Sequence, residues 1–163
     1  MELFRRILVP HDFSPSATHA LEIATGLARA HRGRLLVLHV IGPFHPATAL
    51  PIEAAAWVPE PELVEGERRR LEALVARTVG RRNAPPVVCR IVIGDPYHRI
   101  TDAARGADSI VMATAGRTGL SRILIGSVAE KIVRHAPVPV LTVRAPTAAR
   151  RRGARSARRT RGR

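Results

Sequence analysis

Five short aliphatic runs, separated by stretches with helical periodicity, constrain the fold of this chain more than any other feature. The runs are Arg6-Ile7-Leu8-Val9-Pro10, Leu35 to Ile41, Val87 to Val92, Asp108 to Thr114 and Val138 to Val143. Continuous apolar runs fit strands covered on both faces, whereas half-exposed strands alternate. After the first run, Ser14-Pro15 reads as N-cap and first helical residue, with Ala17, Leu21, Ala24 and Ala28 on one stripe and a stop near Gly33. A second helix is predicted from Glu62 to Thr78, with Leu71, Leu74, Val75 and Thr78 facing inward. A third follows Asp95-Pro96, with Ile100, Ala103, Ala104 and Ala107 in step, and a last one runs through Val128 to Val133. Strands joined by helical crossovers give an α/β, doubly wound, five-stranded parallel sheet with helices on both faces, a Rossmann-like architecture. Between Gly42 and Pro61, the prolines at 43, 46, 51, 59 and 61 argue against regular structure.

The length of 163 residues suits one domain. With three Phe, one Tyr and one Trp, its core has to be aliphatic. No apolar run is long enough to span a bilayer, and the first six residues lack a signal-peptide hydrophobic region. Cys89, the one cysteine, has no internal disulfide partner, so a reducing cytoplasm is expected. Its place in the third run reads as a core thiol. The formal charge of +14 is unevenly spread, because eight arginines fall after Thr147 and no acid does. Without them the remainder carries about +6. The expectation is a domain over 1–146 and a disordered Arg-rich tail over 147–163, either merely solvated or touching nucleic acid without sequence preference.

The residues that bear on function follow the fourth run. Ala113-Thr114-Ala115-Gly116-Arg117-Thr118-Gly119-Leu120 leads to Gly126-Ser127 and then the last helix. A strand, a glycine-bearing loop and a helix opened by Gly-Ser make the layout of a phosphate cradle, in which backbone N–H groups approach an anion closely. A long loop with glycines where turns demand them is the alternative. It is not a P-loop, because the sole lysine, Lys131, lies inside the helix. Nor is it the dinucleotide fingerprint, which follows the first strand. In a doubly wound sheet the ligand sits beyond the carboxyl ends of the strands, where strand order reverses. That rule gathers Pro10-His11-Asp12, Val40-Ile41-Gly42, Val92 to Asp95 and Thr114 to Gly116 around one crevice.

From Ile7-Leu8-Val9-Pro10-His11-Asp12-Phe13-Ser14 to Pro137-Val138-Pro139-Val140-Leu141, the chain resembles the universal stress protein family. The family's nucleotide pattern, Gly-x2-Gly-x9-Gly-Ser or Thr, matches at Gly116 and Gly126-Ser127. Its first glycine falls on Ala113, a departure. The resemblance implies a stress-response regulator that binds ATP, alone or with Mg2+. It implies that Asp12 meets the ribose or adenine, Val40 meets the adenine through its backbone, and Pro10, Met112 and Ala113 line the pocket. It also implies that Gly116, Gly126, Ser127 and Val128 hold the phosphates. Arg117 and Arg122 stand where they can neutralise phosphate charge. Two of these residues also have local readings: Asp12 as an Asx-turn and Ser127 as an N-cap. No catalytic residue is assigned; the most that is expected is slow ATP hydrolysis, with Asp12 or His11 positioning water. A family member acting only through protein contacts is the remaining alternative. His11 and His39, without a third ligand, read as a polar rim and not a metal site. The fifth run, Val138 to Arg144, is expected to pair with its copy in a homodimer. Pro137 and Pro139 push that pairing toward Val140–Arg144.

Overall fold

The computed structural model describes residues 3–42, 58–114 and 126–144. Along them run β1 (Arg6–Pro10), α1 (Pro15–Ala30), β2 (Arg34–Ile41), α2 (Pro61–Val79) and β3 (Val87–Ile93). Then come α3 (Pro96–Ala104), β4 (Ser109–Ala113), α4 (Ser127–His135) and β5 (Val140–Val143). The sheet is parallel in the order β3-β2-β1-β4-β5. Order therefore reverses between β1 and β4.

The three central strands, β1, β2 and β4, bury both faces, which is why their runs are continuous, whereas the edge strands β3 and β5 stay partly exposed. Ile7, Val9, Leu35, Val37 and Val111 meet Leu21 and Ala24 of α1 and Leu71 and Val75 of α2. Leu8, Leu38, Ile110 and Met112 meet Ile100 of α3 and Ala129 and Ile132 of α4 on the opposite face. Burying one such leucine or isoleucine contributes about 2 kcal/mol, so the two layers carry most of the stability. Helix α1 starts as its sequence dictates: the Ser14 hydroxyl accepts from the Ala17 N–H at 3.1 Å, and Pro15 opens the helix. Gly33 ends the following turn because a Cβ there would collide with the Phe4 carbonyl. At β1 Arg6 grips Asp108 through its backbone N–H and its guanidinium, at 2.6–2.9 Å. These bonds hold the Asp108 carboxyl below its ordinary range.

Three expectations need correcting. The fifth strand begins at Val140, not Val138: the Pro139 carbonyl accepts from Ile110, but Pro139 has no N–H to extend the ladder. The N-cap of α4 is Gly126, and Ser127 is already its first helical residue. Cys89 is half-buried because β3 is an edge strand; it packs against the core without being enclosed by it. Burial, then the nearby Glu72 charge, pushes its thiol pKa up. The tail at 147–163, the segment 43–57 and the loop 115–125 lie outside the described residues.

Candidate functional site

The strand ends on either side of the reversal point open a pocket of about 390 Å³. That volume falls within the range of small-molecule sites. Its floor and walls are mostly apolar, formed by Pro10, Leu38, Val40, Ile100, Met112 and Ala113. Polar groups arrive from three places: the β1–α1 turn, the end of β2 and the start of α4.

The β1–α1 turn is fixed by its own side chains. Asp12 Oδ1 accepts from the Ser14 N–H at 3.0 Å, an Asx-turn that holds the carboxylate at the pocket. His11 Nδ1 accepts from the Phe13 N–H at 3.0 Å, which helps hold Phe13 at φ 64, an uncommon backbone conformation for a side chain of this size. The imidazole proton is thereby left on Nε2, 3.4 Å from the Thr18 hydroxyl. His39 Nδ1 donates to the His11 carbonyl at 2.7 Å. Both histidines are buried, 3% and 2% exposed, so the expected polar rim is instead part of the pocket floor. Phe13 covers His39 with ring centroids 4.5 Å apart, and the Arg70 guanidinium of α2 sits 4.0 Å above the Phe13 ring. Burial drives the His11 pKa down to about 4, against a partial upward pull from Asp12 and with His39 and Arg70 adding to the fall. His11 is therefore neutral near pH 7.

At the end of β2, the β1 ladder closes with the His11 N–H on the Leu38 carbonyl at 2.8 Å. Backbone groups alternate sides along a strand, so Val40, two residues on, aims its N–H and C=O the same way, into space that β1 has vacated. These are directed donor and acceptor groups on the pocket wall. Across the pocket, the Gly126 N–H donates to the Thr114 carbonyl at 2.8 Å and pins the start of α4 beside the end of β4. Among the described residues, side chains cap α1 and α3, and none caps α2 or α4. The first-turn amides of α4 and the positive end of its dipole border the pocket at Gly126, Ser127 and Val128.

The structure thus brings Pro10, Asp12, Val40, Met112, Ala113, Gly126, Ser127 and Val128 around one cavity. Gly116, Arg117 and Arg122 lie outside the described residues. Of the stretch Val92 to Asp95, no residue lines the pocket; Pro96 does instead, because Gly94 turns the chain away at φ 135 while bonded to the Ile41 carbonyl. His11 and Thr114 line the pocket as the strand-end rule expects, and His39, read only as a rim residue, lines it as well. Their signal was adjacency to strand ends, which many bystanders share. Among the described residues, no three His, Cys, Asp or Glu side chains are grouped to hold a metal ion. No helix among them is long and apolar enough to cross a membrane.

Comparison with known proteins places this geometry in context. Residues 3–144 match the model of the universal stress protein family. A universal stress protein of Thermus aquaticus is 35% identical over 144 residues, spanning 87% of this chain and 100% of that one. Among solved structures, universal stress protein UspA from Lactobacillus plantarum superposes with a TM-score of 0.66 at 29% identity, covering 86% of this chain and 98% of that one. A universal stress protein from Archaeoglobus fulgidus in complex with dAMP shares the fold, with a TM-score of 0.56 at 18% identity over 86% of this chain and 98% of its own.

Proposed function

The chain belongs to the universal stress protein family, and on that premise we propose that it is a stress-response regulator binding ATP, alone or with Mg2+, in the crevice between β1 and β4. The observation that carries the reading is the uncapped start of α4 facing an apolar pocket at the point where strand order reverses. Phosphates suit the α4 amides and the Ser127 hydroxyl, which no described side chain caps. The adenine edge suits the Val40 backbone, with Pro10 and Met112 against its faces. Asp12, held by its Asx-turn, is the acceptor for ribose hydroxyls. Gly116 and Arg117 complete the cradle in this reading. The dAMP complex of a protein with the same fold supports an adenine nucleotide as the ligand class.

His11 Nδ1 is engaged by the Phe13 N–H, and its Nε2–H faces Thr18. That geometry supports binding over hydrolysis, since neither nitrogen is poised to take a proton from water. The protein works in the cytoplasm in this reading, as a homodimer through the free edge of β5. Its Arg-rich tail over 147–163 adds sequence-independent contact with nucleic acid.

Ala113 ends β4 at the pocket, where the family pattern has glycine. One methyl group there weakens ATP binding without abolishing it, because the cradle is built of backbone. Calorimetric titration of the native chain and of Ala113→Gly tests this. Binding by both, tighter in the variant, is expected, and ATP at a hundredfold above Kd then stabilises the fold by about 2.7 kcal/mol. Heat from the variant alone would mean that this chain has lost the nucleotide and acts through protein contacts. Heat from neither would reduce the cradle to a loop.

A further inference from the structure

We propose that the amino-terminal pole of the sheet, opposite the pocket, is a docking surface for the phosphate backbone of double-stranded nucleic acid. Parallel topology brings every turn that precedes a strand to this one end. Before and at the start of β1 stand Arg5 and Arg6; before and at the start of β2, Arg32 and Arg34; before β3, Arg81 and Arg82; before β4, Arg105. All are exposed. Their strands are neighbours in the sheet, and at about 4.8 Å per strand the four turns form a row about 15 Å long. A row of that length spans about four base-pair steps of 3.4 Å.

The opposing charge is slight. Among the described residues of these turns Asp108 is the acid, and Arg6 occupies it. Arg32, Arg34, Arg81, Arg82 and Arg105 form no ion pair among the described residues. Helix dipoles account for part of the basicity, since Arg29 and Arg77 lie in the last turns of α1 and α2. The dipole effect fades within that turn, so it does not account for Arg34, Arg82 or Arg5.

The turns that carry these charges are held in place. Arg29 reaches across to the Val79 carbonyl at 2.6 Å and the Asn83 carbonyl at 3.0 Å, fastening the α2–β3 turn beside the α1–β2 turn. The Arg34 N–H donates to the Arg5 carbonyl at 2.8 Å, and Arg5 Nη1 to the Arg32 carbonyl at 3.4 Å. Like charges gathered on neighbouring turns repel one another, and a polyanion relieves that repulsion.

The surface favours duplex backbone over other anions. Among the described residues, Val88 near the start of β3 is the one exposed large hydrophobic residue close to these turns, too little to anchor in a bilayer or to build a dry protein interface. Phe4, the aromatic residue at this pole, is stacked on His31 with centroids 5.2 Å apart, so it is not offered to unpaired bases.

Titration of a labelled mixed-sequence duplex between about 50 and 200 mM salt tests the proposal on the full chain. The variant replaces Arg32, Arg34, Arg81 and Arg82 together by Gln. Its log–log salt slope should be shallower by about 3.6. Over that salt range the native chain then loses about 10²-fold more affinity than the variant. Arg81→Gln/Arg82→Gln alone should give about half the slope change, which keeps the test open if the fourfold variant unfolds. The tail is present in every protein compared, so the differences isolate the pole. Saturating ATP should leave them unchanged. Equal slopes and affinities in native and substituted chains would overturn the proposal. So would loss of binding to phosphatidylserine vesicles, or to an acidic polypeptide, with duplex binding intact.

Discussion

Lowering the pH from 7 to 5 should destabilise the folded chain through His11. This imidazole is buried beside Phe13, near enough to His39 and Arg70 to feel their charge, with Nδ1 committed as an acceptor. Protonation would turn that acceptor into a donor facing the Phe13 N–H, in a site that has little water to solvate the charge. The folded pKa of about 4 lies below the ordinary 6.5, so the unfolded chain binds the proton first. Stability from this group is then fully present above pH 6.5 and is lost as the pH falls toward 4. The loss amounts to about 2 kcal/mol at pH 5 and about 3 kcal/mol below pH 4. Urea unfolding of the native chain and of His11→Asn at both pH values isolates the contribution. Asn keeps an acceptor for the Phe13 N–H but does not titrate, so the native chain should lose about 2 kcal/mol more than the variant on going to pH 5. Equal losses, or an imidazole titrating near 6.5 by NMR, would refute the reasoning.

Gly33→Ala should cost about 1–3 kcal/mol or more in the same assay, since the added methyl meets the Phe4 carbonyl with no flexible side chain to yield; a neutral result would contradict the close approach. Light scattering at about tens of micromolar protein should show a dimer through β5, a moderate association, and Leu141→Lys on that edge should shift it toward monomer. Monomer alone in the native chain would end that proposal. Gly126→Asp should erase stabilisation by ATP, because it sets a carboxylate beside the phosphates, while leaving the thermal unfolding of the nucleotide-free protein nearly unchanged.

Much of the fold was legible because burial on two faces writes a distinctive pattern. The run Ile7-Leu8-Val9 feeds both layers of the core at once, and Ser14-Pro15 announces α1 with two local signals that agree. Asp12 and Val40 fall at strand ends on the sequence pattern alone. What stayed hidden depends on strand order and on distant partners. Cys89 looks like any core residue until β3 proves to be an edge. His11 and His39 read as rim residues because nothing near them in sequence tells of Phe13 folding over His39, or of Arg70 closing above it from α2. At Gly126-Ser127 either residue can cap a helix, and the hydrogen bond from Gly126 to Thr114, which sets the frame, is a tertiary contact. The arginines of the amino pole are scattered singly or in pairs over four turns, and only the parallel topology assembles them.

Amide chemical-shift mapping during an ATP titration tests the nucleotide site most directly. Binding in the crevice should shift the amides of Asp12, Val40, Ala113, Ser127 and Val128 together, along one saturation curve. The amides of Arg34 and Arg82, at the opposite pole, should stay in place. Saturable shifts at Arg34 and Arg82 with the crevice unmoved, or no shifts at millimolar ATP, would contradict it.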